Sequence, residues 1–116
     1  MNHIKFSENW DKLSKPRFTT IRSYNPEKER FYAALLGQEF TILRVQNYAS
    51  WGGGRKIGSA TLISVRVVVP ARLPPADLQL DVMRDGKPDQ KWLDRLLAMD
   101  RALLLEFENH IEGGPA

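Results

Sequence analysis

The sequence predicts an α+β domain: a small curved β-barrel of five to six strands with flanking helices. Three observations point to it. Segments 17–23, 39–48, 57–69 and 102–108 carry the alternating or continuous apolar patterns of strands. Segments 26–36 and 88–99 carry helical spacing instead. Finally, the 116 residues contain no repeat, low-complexity stretch or linker, and that length supports one core.

In chain order, Ser7 reads as the N-cap of a short helix with Trp10 and Leu13 on one face, ending before Pro16. Arg17 to Ser23 follows as a strand. Period two puts Phe18, Thr20 and Arg22 on one face, with Thr19 and Ile21 on the other. Asn25-Pro26 opens a second helix, with the stripe Phe31, Ala34 and Leu35 and a stop at Gly37. Gln38 to Tyr48 and Ile57 to Val69 pair most simply as a hairpin around the glycine run 52–54, and Gly58 marks a bulge or a close backbone approach. Pro70 to Pro75 is a stiff crossing, and 78–85 includes a further helical turn. Trp92, Leu93, Leu96 and Leu97 form the stripe of the last helix. Ala102 to Phe107 is a buried closing strand, and 110–116 is a frayed tail of the single domain 1–116.

Composition narrows the function classes. Apolar content of 42% with 27% charged residues is ordinary globular composition, and no apolar run is long enough for a membrane helix. The amino terminus lacks the layout of a secretory signal. A chain without cysteine has neither disulfides nor thiolate metal sites, so a cytoplasmic protein without membrane contact is the expectation. His3 and His110 have no catalytic or metal-ligating neighbour in sequence, and the 52–54 glycines lack the context of a phosphate loop. No metal and no cofactor are expected.

The net charge of +3 conceals an asymmetry. Residues 1–76 hold twelve Lys/Arg against five Asp/Glu, whereas 77–116 hold five against nine. Such a division favours an anionic partner on one side of the molecule. Arg17 and Arg22 can fork onto phosphate oxygens. Lys12, Lys15, Arg55 and Lys56 extend the positive rim, Thr19 and Thr20 offer hydroxyls, and Trp51 offers a face for base stacking, ahead of Tyr24 and Tyr48. Trp10 and Trp92 lie in helix stripes and belong to the core.

Three segments in order, Phe18-Thr-Thr-Ile-Arg22, Gly37-Gln-Glu-Phe-Thr-Ile42 and Lys56-Ile-Gly-Ser-Ala-Thr-Leu62, resemble the ASCH domain of the PUA-like superfamily. The resemblance runs from about Phe6 to Val69. It implies a small β-barrel with a cleft beside the T-x-R strand, and RNA binding. The expected function is therefore an RNA-binding domain using Lys15, Arg17, Thr20, Arg22, Trp51, Arg55 and Lys56, with RNA or another nucleic acid as partner. A protein partner for the acidic carboxy-terminal part is a third class.

The alternative is a small hydrolase acting on a modified nucleoside or RNA, amidohydrolase-like or ribonuclease-like. The amidohydrolase branch that the chain resembles uses a lysine, a threonine and a glutamate. Here Thr20 matches the threonine, but Arg17 stands at the lysine position, and arginine does not give up its proton. Lys15 fits that role only with a shifted strand register. The stretch 65–83 holds Asp77 and Asp81 but no glutamate. The hydrolase alternative thus names Thr20, Arg17 and Asp81.

Overall fold

The computed structural model describes residues 2–45 and 54–110. Seven strands and three α-helices follow one another as β1 (Asn2–Phe6), β2 (Arg17–Ser23), α1 (Pro26–Ala34), β3 (Glu39–Arg44), β4 (Arg55–Val68), α2 (Pro75–Asp81), β5 (Met83–Arg84), β6 (Lys87–Pro88), α3 (Gln90–Leu97) and β7 (Ala102–His110). Short 3-10 helices occupy Asp11–Ser14 and Pro70–Arg72. No helix among the described residues is long and apolar enough to cross a membrane.

Five strands make one sheet in the order β1-β3-β4-β7-β2, curled into a half-barrel. Only β1 and β3 are parallel; the other pairs are antiparallel. The last strand lies near the centre, which explains its composition. Ala102, Leu103, Leu104, Leu105 and Phe107 are all buried, because a strand covered on both faces reads as a continuous apolar run. The hairpin of β3 and β4 forms as the pattern predicts, and its register slips beside Gly58, where Ile57 is the extra residue. A second slip falls between Leu62 and Ser64, and bulges of this kind bend and twist a sheet.

Phenylalanines fill the concave side. Phe18 stacks on Phe107 at 5.3 Å, Phe40 meets Phe107 edge-on at 5.4 Å, and Phe6 meets Phe18 at 6.1 Å. Separations of this size are those at which aromatic pairs add to simple burial. The edge strands β1 and β2 face each other across the opening. There the Arg22 guanidinium donates from Nη2 to the Lys5 carbonyl at 2.8 Å.

Two expectations need correction. β1 was not anticipated, although Ile4 and Phe6 alternate inward along it. The helix expected from Ser7 is only the 3-10 turn Asp11–Ser14, because Trp10 and Leu13 supply apolar contact for one turn before Pro16 intervenes. By contrast α1 starts as expected: the Asn25 side chain accepts from the Lys28 amide at 2.7 Å, with Pro26 at the first position.

The 3-10 turn is held from both sides. Asp85 and Gly86, both at positive φ, make the tight turn between β5 and β6, and their amides donate to the Asp11 carboxylate at 3.0 and 2.9 Å. Arg84 bridges Glu8 and Asp89, its guanidinium facing the Trp10 ring. From the other side the Asn109 amide donates to the carbonyls of Leu13 and Lys15. Asp11→Ala is expected to cost about 1–2 kcal/mol by releasing two hydrogen bonds to a charged acceptor. A urea titration measures that cost; an unchanged midpoint would show that the turn is held without Asp11.

Candidate active site

A cavity of about 400 Å³ opens at the seam of the half-barrel, between β2, the first 3-10 turn, α2 and α3. Phe6, Trp10, Trp92 and Leu96 form its apolar walls, and Lys12, Thr20, Arg22 and Asp81 supply polar groups. Lys12, Thr20 and Asp81 are 5%, 3% and 5% exposed, so three buried polar side chains from three elements converge on one space.

The Lys12 ammonium donates to Asp81 Oδ1 at 2.9 Å. Burial pushes the Lys12 pKa down; the Asp81 carboxylate opposes that shift, and the Arg22 charge adds to it. The balance leaves the amine easier to deprotonate than an exposed lysine. Arg22 has several partners. Its Nε donates to Thr20 Oγ1 at 3.0 Å, and its guanidinium lies over the Phe6 ring at 4.8 Å, where the Lys12 ammonium also lies at 5.4 Å. Because Thr20 Oγ1 accepts from Arg22, the threonine's own hydroxyl proton is left to donate elsewhere. Trp10 and Trp92 meet edge-on at 5.7 Å beside this group, and Asp89 caps α3 through the Trp92 amide.

Arg17 is not in this cavity. Period two along β2 turns it away from Thr20 and Arg22, so grouping Arg17 with Arg22 in one cleft conflicts with the strand's own alternation. It lines a second cavity of about 300 Å³ on the convex side, with Lys15, Thr19, Arg66, Asp77 and Glu106. Arg55 and Lys56 begin β4, opposite Arg44 and Leu43, and line neither cavity. Trp51 and Tyr48 lie outside the described residues.

Lys12, expected on a positive rim, is buried instead and lines the cavity that Thr20 lines, where Arg17 does not reach. Only the pairing of Thr20 with Arg22 was readable locally; Lys12 meets Asp81 across 69 positions of chain, which no short motif encodes. Trp10 and Trp92 are packed as their stripes suggested, and they also wall the cavity. His110 contacts Thr61 Oγ1 at 2.7 Å and Glu39 at 3.4 Å, away from the cavity. Among the described residues no group of three His, Asp or Glu side chains is placed to hold a metal ion.

The chain matches no protein-family model, no curated protein and no solved structure.

Proposed function

We propose that the chain is a small amide hydrolase of ASCH, PUA-like type acting on an acylated nucleoside, with Thr20, Lys12 and Asp81 as its working residues. The observation that carries this reading is the buried Lys12–Asp81 pair on the same cavity as Thr20. A buried ion pair is a poor source of stability, since desolvation costs several kcal/mol per ion and offsets most of the attraction. Lys12, whose pKa burial lowers and which lines a cleft beside a specific charge partner, is therefore a candidate for chemistry.

In the proposed reaction neutral Lys12 takes the Thr20 hydroxyl proton while Oγ1 attacks the acyl carbonyl. Arg22, donating to Oγ1 in the resting site, holds the threonine oxygen in position for attack. Collapse of the tetrahedral adduct breaks the C–N bond, and Lys12 returns the proton to the leaving amine. The Lys12 amine then deprotonates a water, which attacks the threonine ester; the C–Oγ1 bond breaks, Lys12 gives the proton back to Oγ1, and a carboxylic acid leaves. Asp81 holds the amine in place between these steps.

RNA binding is the second reading, and it rests on Lys15, Arg17 and Arg66 around the convex cavity. Asp77 and Glu106 line the same cavity and offset much of that charge, so the seam cavity, which holds Thr20 and the buried Lys12–Asp81 pair, is favoured. The test is hydrolysis of N-acetylated cytidine, followed by chromatography of cytidine. Arg17→Ala is expected to leave the rate essentially unchanged, because its side chain opens to the other face. Absence of turnover in the unmodified protein, together with RNA affinity that falls steeply with salt and with loss of Arg17, would instead establish the binding module.

A further inference from the structure

The seam cavity is more positive than hydrolysis of a neutral nucleoside requires. On its floor the charges of Lys12 and Asp81 offset one another. Beyond them the lining adds Arg22, Lys28 and Arg95 and no further acid. Lys28 on α1 and Arg95 on α3 are exposed, stand on two different helices, and make no ion pair with any described residue. Both are held in place. Lys28 Nζ donates to Ser23 Oγ at 2.9 Å, and the Arg95 guanidinium lies over the Trp92 ring at 4.8 Å. Two cations fixed at one mouth, with no acid to neutralise them, focus a field that draws an anion.

We propose that the substrate carries a phosphate monoester, that is, that the site takes an acylated mononucleotide in preference to the free nucleoside. This rests on the hydrolase reading of the same cavity and adds the chemical class of its ligand. Ser23 follows Thr20 by three residues of extended strand, roughly 10 Å. That separation suits a base and its ribose laid end to end, with the amide at Thr20 and the phosphate at the Lys28 ammonium, which Ser23 anchors, and the Arg95 guanidinium. The volume of about 400 Å³ suits one such unit. Charge-assisted hydrogen bonds from an ammonium and a guanidinium are the usual means of holding a phosphate.

The experiment is calorimetric titration of the whole chain with cytidine and with cytidine 5′-monophosphate, at low and high salt. At low salt the monophosphate is expected to bind about tenfold more tightly or better, as its charge-assisted contacts require. Raising salt narrows the gap, because the rim is exposed. The Lys28→Gln/Arg95→Gln variant, altered only at exposed positions, should lose the preference and keep its affinity for cytidine. Equal affinity in the unmodified protein, or no binding of either compound, overturns the proposal. So does tighter binding of a short cytidine-rich RNA than of the mononucleotide. These readouts need no turnover. A chain that prefers the monophosphate yet cleaves no amide would uphold the phosphate site and sink the hydrolase reading.

Discussion

Lys12→Met and Asp81→Leu are each expected to destabilise the fold by about 3–5 kcal/mol, while the double variant recovers most of that loss. Each single change leaves one charge in the seam without its counterion, among Phe6, Trp10 and Val82. The double change removes both charges and fills the space with side chains of similar volume, which is often neutral or stabilising. Chemical denaturation of the four proteins gives the coupling energy directly. Activity should follow a different pattern: it disappears in all three variants, including the stable one. A buried pair that served only to fasten the 3-10 turn to α2 would give a stable, active double variant. That divergence between stability and turnover separates a working pair from a structural one.

The second large effect is on pH dependence. Burial lowers the Lys12 pKa, so its neutral, proton-accepting form gains population at a pH where an exposed lysine is still charged. Turnover should therefore rise with pH, along a limb whose midpoint lies below the usual lysine range. Stability carries the same signature. The folded state disfavours the ammonium, so a penalty is fully present below the folded pKa of Lys12. It disappears as pH rises from that value to the unfolded one, and the protein gains stability across that window. The Lys12→Met/Asp81→Leu variant should lack this gain. Lys12→Arg, which keeps a permanent charge, should abolish the rate at every pH, by about 10²–10⁴-fold if the amine is the general base. A flat profile, or full activity with arginine, would remove Lys12 from the reaction.

Much of the fold was legible because it is written in local period. β2, β4, β7, α1 and α3 follow apolar spacing, capping residues and turn glycines closely enough to be placed within a few residues. β1 was missed because five residues offer little pattern, and Ser7-Glu8 just beyond them imitates a helix start. The expected helix shrank to a 3-10 turn because one turn of apolar contact does not sustain an α-helix.

The site divides the same way. That Thr20 and Arg22 share a face follows from period two, and the same rule sends Arg17 to the convex side. Lys12 lies in the polar stretch Asp-Lys-Leu-Ser-Lys and looks like a surface lysine. Its burial is a tertiary event: Asp11 fastens the turn to the β5–β6 hairpin, Asn109 fastens it to β7, and α2 brings Asp81 into place. Each contact joins elements far apart in the chain, so no window of sequence contains it.

The central claim is that Lys12 and Thr20 perform chemistry rather than fill space, and hydrolysis of acetylated cytidine 5′-monophosphate by Thr20 variants tests it most directly. Thr20→Ala removes the attacking oxygen and should lower kcat by about 10²-fold or more, whereas Thr20→Ser keeps the hydroxyl and should retain measurable turnover. Lys12→Gln should match the alanine variant, because a nucleophile and its base act as a unit and their losses do not add. Turnover by the unmodified chain with this pattern of loss and rescue is the predicted result. Turnover that is indifferent to Thr20 and Lys12, or none at all from a folded protein, would contradict the assignment of the seam as an active site.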